Sequence, residues 1–261
     1  MSKPTPNQPT TQIGSTHSDT DTLTIRGLDT LSGIVGEKTF TETFFFIVTG
    51  TMPTPGQTTC FDACLNILMD HGLTPSALVA RLTEDSVPED MQVAISAGLL
   101  LVANRHVGTM SGAGHLLADG IAVDGDPERW AADIVTDYRA QKKRIPGFGH
   151  PHYFPEDPRA ARLFEIAEEA GCGGQYMALM KLLEQEIERA MGRRLVLNVT
   201  GAMAAVLSEI GFPVEGMRGV AVVGRAAGLV AHIVEEKNTG LARHLIKYAD
   251  QTVDTSPAKD M

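Results

Sequence analysis

The chain has 261 residues, 43% of them hydrophobic but only 5% aromatic, with a formal net charge of −10 at pH 7. That length supports one sizeable core with a smaller unit attached, and the negative charge argues against a general nucleic-acid binder. No apolar run approaches the roughly 18 residues of a membrane-spanning helix, so a membrane partner is not expected either.

Ala, Leu, Met and Gly carry the apolar pattern, which favours packed helices and an all-α fold. Residues 1–22, rich in Ser, Thr, Pro, Gln and Asp, are expected to be a disordered tail. Order begins with the turn Ile25-Arg26-Gly27-Leu28-Asp29, followed by Phe40 to Val48, closed by Gly50, Pro53 and Pro55. Helix is expected for that segment, with strand as the alternative for its three consecutive phenylalanines. From Cys60 to Met69, Phe61, Cys64, Leu65, Leu68 and Met69 recur at helical spacing. Cys60, Cys64 and Cys172 make no CxxC pair and read as reduced residues of a cytoplasmic protein. Gly72 and Pro75 end this helix after Asp70-His71, and Thr74 or Ser76 caps the next. A histidine such as His71 at a helix end bonds a carbonyl as readily as a ligand. Met91 to Val102 is an apolar helix whose small residues permit close packing. In Gly108-Thr109-Met110-Ser111-Gly112-Ala113-Gly114-His115, a helix starting near Ser111 puts Ser111 and His115 one turn apart on one face. Asp126 and Pro127 are a cap and first-turn proline for a helix reaching about Lys142.

The next stretch, Lys143-Arg144-Ile145-Pro146-Gly147-Phe148-Gly149-His150-Pro151-His152-Tyr153, then Asp157-Pro158-Arg159, carries most of the chemistry. Prolines and glycines stop any helix here; the glycines leave bare backbone for another molecule, the cations suit a phosphorylated one, and His150 exchanges a proton near neutral pH. Amphipathic helices are expected from Ala160 to Ala170 and Met177 to Met191, and a small-residue helix from Ala202 to Ile210. Gly219 to Glu236 is an apolar helix interrupted by Arg225, which needs an anionic partner, from either a ligand or a buried carboxylate. Past Tyr248 the sequence turns polar, and 249–261 is expected to be a flexible tail.

The words Ile145-Pro146-Gly147-Phe148-Gly149-His150 and Asp157-Pro158-Arg159-Ala160 resemble the citrate synthase family, including short citryl-CoA lyases and the C-terminal part of ATP-citrate lyase. The resemblance spans roughly Leu23 to Tyr248. It implies a large helical domain (23–125 and 212–248) and a small one (126–211) bearing a coenzyme A loop of Lys143, Arg144, Ile145, Pro146, Gly147 and Gly149. It also implies His150 and His71 on the oxygen of a 2-oxo acid, and Arg159, Arg225 and Arg243 on its carboxylates. A homodimer or dimer of dimers sharing residues across subunits is implied, and no metal is expected. Two positions depart from the pattern. Ser111 stands where relatives carry a histidine that stabilises a thioester enol, with His115 in place of their asparagine, and Thr200 stands where they carry the aspartate base. A hydroxyl cannot hold the carboxylate's charge.

The sequence therefore supports an acyl-CoA-dependent carbon–carbon lyase or synthase, acting on a citryl-CoA-like thioester or on acyl-CoA plus a 2-oxo acid. His115, Ser111 and Thr200 are then the altered catalytic positions, with His115 or His152 as replacement base. The alternative is a non-catalytic or regulatory protein that binds a di- or tricarboxylate and coenzyme A. A metal site from His150, His152 and His115 is a third reading, resting on His-X-His spacing alone.

Overall fold

The computed structural model describes residues 10–14, 22–103, 108–123 and 125–254. A two-stranded hairpin, β1 (Thr24–Ile25) and β2 (Leu28–Asp29), turns at Arg26 and Gly27 and runs into the single-turn α1 (Thr30–Gly33). Ile13, within the expected tail, accepts a bond from the Arg26 backbone N–H at 3.3 Å. The Arg26 side chain donates from Nε to Ile47 O (2.7 Å) and from its terminal nitrogen to Val48 O (3.2 Å). It thereby puts a cation on the carbonyl end of α2 (Phe40–Thr49), the favourable end of the dipole.

The three phenylalanines are helical because Thr39 and Glu42 form a capping box and Gly50 closes α2 in a left-handed conformation. Phe45 is buried against Phe61 and Phe212, whose ring centroids lie 5.0 Å apart. Thr54 and Pro55 start α3 (Pro55–Asn66), with Cys60 and Cys64 buried on one face. Thr74, not Ser76, caps α4 (Pro75–Ser86); α5 (Met91–Leu99) and α6 (Thr109–Ala122) follow. Asp126 caps α7 (Pro127–Ala140) and Asp157 caps α8 (Pro158–Glu169), each with proline in the first turn. The chain continues through α9 (Gln175–Met191), α10 (Val199–Glu209), α11 (Val214–Thr239) and α12 (Leu241–Thr252).

Asn198 caps α10 three residues earlier than the expected start at Ala202, which places Thr200 in the first turn. Pro213 precedes α11, and the ladder passes through Gly219, which interrupts the apolar pattern without breaking the helix. α12 continues past Tyr248 to Thr252. α10, buried from Val199 to Leu207, is the axis of a core that takes Phe45 and Phe61, Met110 and Leu117, and Leu163, Met180 and Leu183. That core draws on both segments expected as separate domains. A smaller cluster of Ala77, Ala80, Ala94, Leu229 and Ile233 joins α4, α5 and α11. Although α11 is apolar and long enough to cross a membrane, it carries Arg225, His232 and Glu236 and buries Gly224, Gly228, Leu229 and Ile233 in the bundle.

Candidate active site

The loop after α7 is fixed by the chain entering α10. Lys142, at φ 52°, turns away from the helix. Phe148 and Leu197 then form an antiparallel bridge, flanked by Gly149 N–H to Val196 O (2.7 Å) and Asn198 N–H to Gly147 O (2.9 Å). The Asn198 amide also donates to Gly149 O at 3.0 Å. Gly147 and Gly149 both have φ 87°, where a side chain is strained. The expectation of bare backbone for another molecule survives only at Gly149, which has open space where a Cβ would point. Gly147 is buried against this chain's own Gly201, whose Cα would lie 2.9 Å from an added Cβ. Ile145 is buried and Pro146 packs against Gly112 of α6, while Lys143 and Arg144 remain exposed.

His150 follows this stitched loop. Its Nδ1 accepts from the backbone N–H groups of His152 (3.1 Å) and Tyr153 (3.0 Å), so the proton of the neutral ring sits on Nε2. Nε2 lies 3.3 Å from a terminal nitrogen of Arg159. Both are donors, so they converge on a common point instead of bonding each other. Arg159 cannot swing away, because Asp157 accepts from its Nε (3.0 Å), terminal nitrogen (2.9 Å) and backbone N–H (3.1 Å), and Tyr153 lies under the guanidinium at 4.8 Å. Asp157 is fully buried and also takes the Val199 N–H at 3.0 Å, joining α8 to the start of α10. Burial alone would raise its pKa, but the bonds and charge of Arg159, with the Val199 N–H, hold it below the usual carboxylate value.

His71, an exposed residue in the turn between α3 and α4, lies near enough to Arg159 and Arg225 for their charges to act on it. Partial burial, then the charges of Arg159 and Arg225, hold its pKa below the ordinary histidine value; burial and Arg159 do the same for His150. The lowering favours the neutral form of both rings, and neutral His150 presents its one N–H at Nε2. Burial also lowers the pKa of Arg225, opposed by the charge of Asp70, and one terminal nitrogen of Arg225 is buried with no hydrogen-bond partner. An unpaired buried guanidinium nitrogen is costly unless an anion arrives to meet it.

Thr200 is also committed. Its hydroxyl donates to Asn198 Oδ1 (2.7 Å) and accepts from Thr109 (2.7 Å), which leaves it no role as a base. Ser111 lies in the first turn of α6, close to Thr109 and beside Gly112 on Pro146. His115, one turn on, is exposed, whereas the His152 ring lies 6.0 Å from the His150 ring and the charge of His152 lowers the His150 pKa. Arg243 sits on α12, exposed and paired with Asp85 of α4 at 2.7 Å, and does not join the group within one chain. Sequence reasoning gave no role to Asp157, Asp70 or Thr109. The Asp-Pro helix start was the signal available for Asp157.

A helical frame that brings His150 and Arg159 together, with His71 and Arg225 near enough to feel each other's charge, beside an exposed basic loop, defines an all-α protein with a cationic candidate site. The chain belongs to the citrate synthase, C-terminal domain family, which it matches over residues 34–249. It is 33% identical to a citryl-CoA lyase from Hydrogenobacter thermophilus of known structure, covering 97% of this chain and 96% of that one, with a TM-score of 0.84. It is 27% identical to citrate synthase from Haloferax volcanii over 222 residues, 83% of this chain and 57% of that protein. The chain spans about half the length of the curated relatives it matches. The fold is shared with ATP citrate lyase from Methanothrix soehngenii, solved with citrate and coenzyme A, at 21% identity and TM-score 0.76, covering 99% of this chain and 43% of that one.

Proposed function

We propose that this chain is a coenzyme A-dependent carbon–carbon lyase that cleaves a citryl-CoA-like thioester or, in reverse, joins an acyl-CoA to a 2-oxo acid. The observation that carries the reading is the convergence of His150 Nε2 and Arg159, 3.3 Å apart, beside Arg225 with an unpaired buried nitrogen. The near full-length likeness to a citryl-CoA lyase supports it. Arg159 and Arg225 hold the carboxylates, Arg159 in a fixed orientation, while His150 and His71 donate to the oxygen that becomes the 2-oxo carbonyl. In cleavage, the tertiary hydroxyl loses its proton, the carbon–carbon bond breaks toward the thioester, and the carbon beside the thioester takes up a proton. Of the two candidate imidazoles, we assign one of these protons to His152, beside His150, in preference to the exposed His115. Lys143, Arg144 and the open backbone at Gly149 receive the nucleotide end of coenzyme A. We assign residues 126–211 as the small domain, the dimer as the working unit, Arg243 to a neighbouring subunit's site, and a cytoplasmic location.

The committed Thr200 hydroxyl favours a second reading, a protein that binds a tricarboxylate and coenzyme A without turnover. Cleavage of citryl-CoA, followed by trapping the 2-oxo acid with a reducing dehydrogenase, separates the two. Release of both products establishes the lyase. Binding of citrate and coenzyme A by calorimetry, with no cleavage and no acetyl-CoA methyl exchange in deuterated water, establishes the second.

A further inference from the structure

A chain of polar contacts outside the site runs from the base of α12 to the turn that carries His71. Glu236, buried on α11, accepts the Ala242 backbone N–H at 2.8 Å and one terminal nitrogen of Arg81 at 2.9 Å. Arg81, 2% exposed, donates from Nε (3.1 Å) and its other terminal nitrogen (2.9 Å) to Nδ1 of His232. Arginine has no acceptor, so Nδ1 must accept and the ring proton must lie on Nε2. That nitrogen is 2.9 Å from Oδ1 of Asp70, which therefore accepts its hydrogen bond. The other Asp70 oxygen accepts the Gly72 N–H at 2.9 Å, so one carboxylate spans His71 on both sides. The bond to Gly72 is the main reason the Asp70 pKa stays below the usual carboxylate value. Asp70 also opposes the lowering of the Arg225 pKa.

Backbone packing seats the same turn. Gly228 and Gly224 lie about one and two turns before His232 on α11. A Cβ on Gly224 would stand 2.5 Å from the Leu65 carbonyl, and one on Gly228 would overlap the Met69 carbonyl. The end of α3 and the residues before His71 thus lie directly on the α11 backbone, next to Arg225. Two elements that carry ligand-facing groups, the His71 turn and the Arg225 turn of α11, are joined by this backbone packing and by the side-chain contact between Asp70 and His232.

We propose that Asp70 and His232 are positioning residues for the carboxylate site. Arg81 fixes the tautomer of His232, His232 holds Asp70, and Asp70 sets the place of His71 and the charge beside Arg225. Neither residue touches the reacting atoms. The proposal rests on reading the site as a carboxylate binder.

Its test uses the full chain, with citrate and coenzyme A affinities by calorimetry, KM and kcat for citryl-CoA, and melting temperature. His232→Ala raises the citrate Kd and the KM about tenfold, with kcat nearly unchanged, as expected for lost ligand positioning. Coenzyme A affinity and melting temperature stay at wild-type values, which general structural damage would not allow. His232→Gln, whose amide can still donate to Asp70, recovers most of the citrate affinity. Asp70→Asn, at the exposed end of the contact, behaves like His232→Ala and carries the test should His232→Ala fail to fold. Wild-type citrate affinity in both His232→Ala and Asp70→Asn overturns the proposal, as does an equal fall in citrate and coenzyme A affinity. A wild-type chain that binds coenzyme A but no citrate is a distinct result: it removes the carboxylate reading itself, and this proposal with it.

Discussion

Asp157 and Arg159, two residues apart, meet side by side, with Nε 3.0 Å from one carboxylate oxygen and a terminal nitrogen 2.9 Å from the other. The carboxylate has no solvent exposure and also caps α8 and takes the first N–H of α10, so the guanidinium is the counter-charge of a structural joint. Arg159→Ala leaves that charge buried and unpaired. It should cost about 3 kcal/mol in chemical denaturation and remove citrate binding. Arg159→Lys restores the charge without the fork and should recover part of the stability but little of the binding. Wild-type stability for Arg159→Ala would refute the joint.

Gly201→Ala addresses the loop. Its Cβ would lie 2.6 Å from the Gly147 carbonyl oxygen and 2.8 Å from the Gly147 Cα, both backbone atoms that cannot rotate aside. Forcing them apart should cost about 2 kcal/mol and shift the loop, so coenzyme A affinity falls with stability. Gly149→Ala meets open space and suffers only the strain of φ 87°, about 1 kcal/mol. Equal stability losses for the two variants would mean that the Gly147–Gly201 approach is not what fixes the loop.

Stability should fall with acid in a window set by the histidines. His71 and His150 have pKa values below the ordinary 6.5 in the folded chain, so the unfolded chain binds protons more readily. Their contribution is complete above that ordinary value and is lost as pH falls through the depressed folded values. Asp157 acts with the same sign at lower pH, as its carboxyl falls below the ordinary 3.8. A bound tricarboxylate opposes that lowering, so citrate should bind with proton uptake as the pH falls toward the depressed histidine values. Calorimetry in buffers of different ionisation enthalpy measures that uptake, and His71→Gln should reduce it. Uptake that is unchanged in both His71→Gln and His150→Gln would place the anion elsewhere.

Much of the fold was legible because its signals are local. Asp126-Pro127 announces α7, and Thr39 with Glu42 turns three phenylalanines that fit a strand into a helix. The same Asp-Pro signature begins α8, yet it does not reveal that Asp157 also grips Arg159 and Val199, because the latter is 42 residues away. Nor does local pattern show that the Gly147 backbone is already occupied by Gly201. The Arg81–His232 contact, at a separation of 151 residues, leaves no trace in periodicity or caps. His150, His71, Arg159 and Arg225 were found through family resemblance, and the structure brings those four together. Arg243 came from the same resemblance and His115 from its place one helical turn after Ser111; within one chain Arg243 pairs with Asp85 and His115 is exposed.

The altered catalytic pair gives the most discriminating experiment. Thr200 is held between Asn198 Oδ1 and Thr109 Oγ1, each at 2.7 Å, and Asn198 Oδ1 is itself fixed by the N–H groups of Thr200 and Gly201. Thr200→Asp therefore sets a carboxylate against an acceptor that cannot turn away, and about 1–2 kcal/mol should be lost. The position is still in the first turn of α10, where negative charge is favourable, and the Thr109 hydroxyl can donate to the new group. The variant should fold. Combined with Ser111→His, it returns both proton-handling groups and should raise acetyl-CoA methyl exchange in deuterated water at least tenfold, below the roughly 10²–10⁴ a well-positioned base contributes because the surrounding groups are not rebuilt with it. In the unaltered background, His152→Ala should slow citryl-CoA cleavage by about 10² without changing citrate affinity, while His115→Ala leaves the rate within about twofold. A double variant that folds, binds both ligands and exchanges no methyl protons would show that the space around Ser111 and Thr200 has been rebuilt for a different reaction. The reverse result for the two histidines would return the proton-handling role to α6.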